Sequence, residues 1–153
     1  MSAEENLKKL GIVLPDVPAP VANYVPFRLH RDTLYLSGQG PRQPGGGYST
    51  GLVGKDVDVA KAYQDARTTG LGLLSVVRRA LGTLDRVEYV VKLLGMVNGV
   101  PGFAEQPKVI NGCSDLFVEV FGEAGRHARS AVGMGSLPNN MTVEIEAIFA
   151  VKP

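Results

Sequence analysis

The chain has 153 residues, with 16 Lys and Arg against 15 Asp and Glu for a formal net charge of +1; 44% of residues are hydrophobic, 7% aromatic, and one is cysteine. A chain of this length makes one domain that buries its own core without staples, and a single cysteine closes no internal disulfide, nor does any Cys/His cluster have zinc-ligand spacing. Balanced charge and scarce aromatics make nucleic acid a poor first guess for a partner, because neither phosphate neutralisation nor base stacking has the residues it needs.

The N-terminal MSAEENLKKLG carries acids where a signal peptide needs a basic region, and no stretch reaches the roughly 18 uncharged apolar residues that span a bilayer. The expectation is a soluble, cytoplasmic protein that does not engage a membrane. Residues 2 to 10 can form a short helix; Leu14-Pro15-Asp16-Val17-Pro18-Ala19-Pro20 then forbids regular structure, since its prolines remove amide donors and extend their predecessors. Residues 1–20 therefore read as a short helix and arm, and 21–153 as a single domain. Runs near 25–30 and 33–38 read as a hairpin turning at Arg31-Asp32. Residues 40–54, GPRQPGGGYSTGLVG, hold six glycines and two prolines and predict an exposed connection that could rim a site.

From Asp56 to Leu81 the apolar positions Val59, Tyr63, Ala66, Gly70, Leu73, Leu74, Val77 and Leu81 recur at helical steps, with Gly82 as the stop. Residues 86–97 alternate, so Val87, Tyr89, Val91, Leu93 and Val97 are predicted to share the core face of a strand, with Glu88 and Lys92 on the other. A second helix is predicted over roughly 106–121, with Pro107 in its first turn, Cys113 on its apolar stripe as an inert core residue, and Gly122 past its end. From Arg126 to Lys152 the pattern reads as two strands joined at Ser136-Leu137-Pro138-Asn139-Asn140. Met141, Val143, Ile145, Ala147, Phe149 and Val151 form one apolar face, and Thr142, Glu144 and Glu146 the other. The order ββαβαββ predicts an α+β sandwich, a mixed sheet with both helices on one face. Its other face mixes Glu88, Lys92, Glu144 and Glu146 with Val90 and Leu94, as a face covered by another subunit does.

A turn near residues 137 and 138 sets Arg129 opposite residue 146 and diagonal to 144, on the face away from the helices. An arginine there can hold a planar anion with two parallel hydrogen bonds, and a nearby carboxylate can orient or deprotonate water. From spacing alone a plain cross-strand salt bridge is the favoured alternative. His127, on the face of Arg129, reads as structural. Gly38-Gln39-Gly40 is followed by Pro41 rather than a helix, so no dinucleotide fingerprint is present, and no serine or cysteine stands in a nucleophile elbow.

These residues carry a resemblance. "ARSAV" followed by "VEIEAI", with "NYVPF", "LYLSGQGP" and "FAEQPKVINGCSDLFVEVFGE" upstream, resembles the RidA (YjgF/YER057c/UK114) family of imine and enamine deaminases, in its longer subgroup. The resemblance implies a chorismate-mutase-like fold, a homotrimer with sites between subunits, and no cofactor or metal. It implies Arg129 as the carboxylate-binding arginine, Glu144 as the water-activating glutamate, Tyr24 as the pocket tyrosine, Ser37 and Gly38 as the Ser-Gly pair, and Asn111 as the helix asparagine. Ala131 stands where many members have cysteine. Tyr24, Ser37-Gly38 and Asn111 each have an ordinary structural explanation as well. Phe27, Tyr48 and Phe121 could complete the pocket or simply pack.

The implied activity is cofactor-independent hydrolysis of small 2-imino or enamine acids to 2-keto acids and ammonium, as in a 2-iminobutanoate/2-iminopropanoate deaminase. The alternatives are a non-catalytic trimer that binds a small carboxylate and, last, an endoribonuclease.

Overall fold

In the computed structural model, which describes residues 1–153, the chain runs through α1 (Ala3–Leu10), β1 (Phe27–His30), β2 (Thr33–Leu36), α2 (Val59–Leu81), β3 (Val87–Val97), α3 (Gln106–Phe121), β4 (Ala128–Gly133) and β5 (Val143–Val151). The helices fall where their stripes put them. Asp58 caps α2, its carboxylate accepting from the Lys61 amide at 2.8 Å, and Gly82 ends the helix with a left-handed φ of 81°. Pro107 sits in the first turn of α3 and Gly122 follows its last residue.

Both helices pack on one face of a five-stranded sheet ordered β1-β2-β5-β3-β4, with β3 and β4 parallel and the other pairs antiparallel. The α+β sandwich is as expected, but the C-terminal hairpin is not. β4 pairs with β3, Leu93 opposite Arg129, while β5 lies on the other side of β3, with Met96 opposite Glu144. The segment between β4 and β5 is no tight turn. It contains a 3₁₀ turn at Pro138–Asn140 in which Asn139 and Asn140 take φ of 54° and 55°, and it carries the chain across the end of β3. Burial explains the choice: β5 hides Val143, Ile145, Ala147, Phe149 and Val151 and belongs in the middle, whereas the short, half-exposed β4 tolerates an edge.

Two bulges correct the reading of β3. Register slips between Val87 and Tyr89, and again between Val90 and Lys92, so Val87, Val90 and Leu93 face the core, while Tyr89 and Val91 turn out to the helix-free side. Val90 thus leaves the mixed outer face on which the sequence had placed it. Gly95 keeps the inner face flat, since a Cβ there would come within 2.6 Å of Ile110. Met141 also departs from its predicted stripe and joins Met96 and Leu137 in a small second cluster.

At the N-terminus Ser2 and Glu5 form a reciprocal cap, Leu7 is buried, and the Asn6 side-chain amide donates to the Val120 carbonyl at 2.8 Å. The proline-rich arm then crosses α2, where the Ser75 hydroxyl donates to the Pro15 carbonyl at 2.6 Å. No helix is long and apolar enough to cross a membrane.

The helix pair depends on glycine at one contact, because a Cβ on Gly112 would overlap the Tyr63 carbonyl of α2. Gly112→Ala is expected to lower stability by about 1–3 kcal/mol, read as a fall in urea midpoint at unchanged slope. Gly72→Ala, with nothing within 4 Å, is expected to be neutral or stabilising. Equal midpoints for the two variants would count against this packing.

Candidate functional site

Arg129 shares the face of its register partner Leu93, which is fully buried beneath the helices. Its side chain therefore lies on the helix side of the edge strand, not on the helix-free face as the assumed hairpin required. There its Nη1 donates to Asn111 Oδ1 at 2.8 Å and to Ser114 Oγ at 3.1 Å, both on α3. Ala131, two residues on and opposite Gly95, packs against the core on that same side.

The sequence hid a further pair. Ser114 Oγ is 2.9 Å from His127 Nε2, and His127 Nδ1 is 2.7 Å from the Gly125 carbonyl. A carbonyl can only accept, so the proton belongs on Nδ1, and Nε2 accepts from the serine hydroxyl. Ser114 accepts from Arg129 and donates to His127, an uncharged chain that sets the guanidinium. Burial pushes His127 below the ordinary histidine range; the Gly125 carbonyl opposes this and Arg129 adds to it. Cys113 is fully buried nearby, and that burial pushes its thiol far up, as an inert core residue requires. Asn111, Ser114, His127 and Arg129 border an open groove of about 580 Å³ that also touches Asp115, Glu119 and Arg126.

Glu144 projects from the opposite face of the sheet. Burial, and then repulsion from Glu146, pushes its carboxyl above the usual range, and no cation lies within ion-pair reach. Gly38 makes room for it: a Cβ there would stand 3.2 Å from the carboxylate. Gln39 fastens this segment to β5 by exchanging both backbone hydrogen bonds with Ile145 at 2.9 Å. The Ser37 hydroxyl donates to the Val25 carbonyl at 2.6 Å, fixing the stretch that bears the exposed Tyr24. A cavity of about 520 Å³ joins Glu144, Gly38 and Tyr24 to the arm at Val17–Val21 and to the glycine-rich segment at Gly40, Arg42 and Tyr48.

Two separate clusters result. Asn111, Ser114, His127 and Arg129 gather at one sheet edge; Tyr24, Gly38 and Glu144, with Ser37 behind them, gather on the other face, and β3 separates the two within a chain. Of the three aromatic candidates only Tyr48 reaches the cavity; Phe27 packs against the core and Phe121 lies edge-on to Phe117 and Phe149. No three His, Cys, Asp or Glu side chains converge as metal ligands.

The histidine predicts a pH dependence. As pH falls from about 6.5 towards the lowered value of His127, the unfolded chain binds a proton that the folded chain refuses. Stability is therefore complete above that window and falls on acidification through it. His127→Gln, which does not titrate, should flatten this slope in thermal midpoints taken between about pH 7.5 and 5.5; an identical slope in the variant would contradict the assignment.

The chain's relatives bear on the same geometry. The family described as "YjgF/chorismate_mutase-like, putative endoribonuclease" matches residues 4–150. Protein TCP17 of Trypanosoma cruzi is 46% identical over 144 residues, covering 94% of this chain and 90% of that one. The crystal structure of Atu1372 from Agrobacterium tumefaciens superposes with a TM-score of 0.89 at 50% identity, over 98% of this chain and 94% of the other. A "putative endoribonuclease" from Shewanella oneidensis gives 0.94 at 32% identity, over 99% and 100%. A match that runs from the docked N-terminal helix to the last core residues of β5 makes this chain a member of the YjgF/chorismate-mutase-like (RidA) family.

Proposed function

We propose that three copies of the chain assemble so that the Glu144 cavity of one meets the Arg129 groove of the next, and that the composite clefts hydrolyse small 2-imino or enamine acids to 2-keto acids and ammonium without a cofactor. The observation that carries this reading is the pair of incomplete half-sites. Arg129 is oriented by neutral groups with no carboxylate to hold, and Glu144 is half-buried with no cation to balance it. Neither arrangement is a salt bridge, and each supplies what the other lacks. The helix-free face, with Tyr35, Tyr89 and Val132 between 39% and 47% exposed, supports a covering subunit.

In this reading the free nitrogens of Arg129 take the substrate carboxylate, and Asn111 and Ser114 hold the guanidinium plane. The imine enters protonated; Glu144 accepts a proton as its water adds to the iminium carbon and returns it to the nitrogen of the carbinolamine, and as the C–N bond breaks the hydroxyl proton passes to the departing ammonia, leaving the carbonyl and ammonium. A carboxyl raised by burial suits both halves of that exchange. An imine hydrolyses by itself, so orientation of water and substrate supplies most of the required acceleration.

The test generates an imino acid with an amino-acid oxidase and follows its loss. Arg129→Lys keeps the charge but loses the fork, and is expected to cut kcat/KM about 100-fold. Glu144→Gln is expected to cut kcat by about 100-fold or more while leaving affinity for a 2-keto acid little changed. A binder without turnover would show the affinity and no rate in the wild type. RNA cleavage that survives purification and vanishes in Arg129→Ala would replace this reading with a nuclease. Sedimentation at a mass other than three chains would remove the composite cleft.

A further inference from the structure

Three arginines border the two cavities. Arg126 pairs with Glu123 at 3.4 Å, whereas Arg129 and Arg42 are held by neutral side chains alone. The role of Arg129 is argued above; nothing so far uses Arg42. Its Nη2 donates to the Tyr48 hydroxyl at 3.0 Å, and its guanidinium carbon lies 5.0 Å from the centre of the Tyr48 ring, so one tyrosine grips it by hydrogen bond and by π-face.

The tyrosine is itself anchored. Its ring packs on the Met96–Leu137–Met141 cluster, and a Cβ on Gly40 would come within 3.1 Å of it. Its neighbour Ser49 donates to Asp65 at 2.8 Å, and Asp65, 1% exposed, also takes the Thr142 hydroxyl at 2.8 Å and the Lys61 ammonium. The segment carrying Arg42 is thus tied to the entry of β5, two residues before Glu144. No carboxylate lies within 4.0 Å of Arg42, Glu144 included, although both line one cavity. A guanidinium held in place by uncharged partners and left without a counter-ion is the chemistry of an anion receptor.

We infer that Arg42 binds a second anionic group on the ligand, so that the cleft selects 2-imino dicarboxylates and their 2-oxo products over monocarboxylates. This rests on the composite cleft proposed above: the first carboxylate sits on Arg129 of the neighbouring copy, the imine carbon faces Glu144, and the distal carboxylate extends along the cavity to Arg42. At about 520 Å³ the cavity has room for that extension. Arg42 is exposed at the rim of the cavity, so selection works by attraction: a distal carboxylate gains a charge-assisted contact that an apolar distal chain does not.

Binding and turnover are measured separately on the full chain. By calorimetry, wild type should bind 2-oxoglutarate at least about 10-fold more tightly than 2-oxopentanoate, the range expected of one charge-assisted contact. Arg42→Gln should bring that ratio near one, Arg42→Lys should retain part of it, and Arg129→Gln should weaken both ligands. The same ratios should appear in kcat/KM for imines made from acidic and neutral amino acids. Preference for the dicarboxylate in binding but no turnover upholds Arg42 and sinks imine hydrolysis. Turnover with no dicarboxylate preference, a preference that survives in Arg42→Gln, or binding of neither ligand overturns the assignment of Arg42.

Discussion

The position of β5 governs the rest of the molecule. It is the strand with the most consistent alternation, and burying its inner face requires a neighbour on each side. With β2 on one flank and β3 on the other, β4 is displaced to the edge. That single consequence sets Arg129 against α3 and leaves Glu144 on the opposite face, where each charge remains unneutralised by the other. Had β4 and β5 formed a hairpin, a cross-strand ion pair would have consumed both groups.

Much of the fold was legible because helices announce themselves locally. The stripe of α2 and its Gly82 stop, and the Pro107 and Gly122 that bracket α3, lie within a few turns of what they control. Strand partnership is not local. Nothing near Arg129 tells it to pair with Leu93 on the far side of a helix instead of with β5 beyond the next loop. The bulges in β3 were illegible for a related reason: a period-2 reading assumes an even ladder, and one extra residue turns Tyr89 and Val91 outward without a trace in composition.

The candidate site shows the same division. Spacing alone singles out Arg129 with the carboxylates at 144 and 146, whereas Asn111 and Gly38 acquire a role only through a family likeness, and the geometry then parts Arg129 from Glu144. Ser114 and His127 are thirteen residues apart, and nothing in the sequence links the polar side of α3 to the residue before β4. Asp65 would pass for one more acid on an amphipathic helix. Only the fold reveals that it is almost wholly buried, with Lys61, Ser49 and Thr142 meeting its oxygens as a buried charge demands.

The proline-rich arm that walls the Glu144 cavity belongs to no ladder. Docked at one end by α1 and tacked midway by Ser75, it contributes surface to the cavity without contributing to the sheet. A wall of this kind can be recut residue by residue without breaking a strand pairing. The outline of the cavity is therefore free to diverge over residues 18–21 while the sheet beneath it stays as it is, whereas Val17, which lines the cavity and also packs on the core, ties shape to stability.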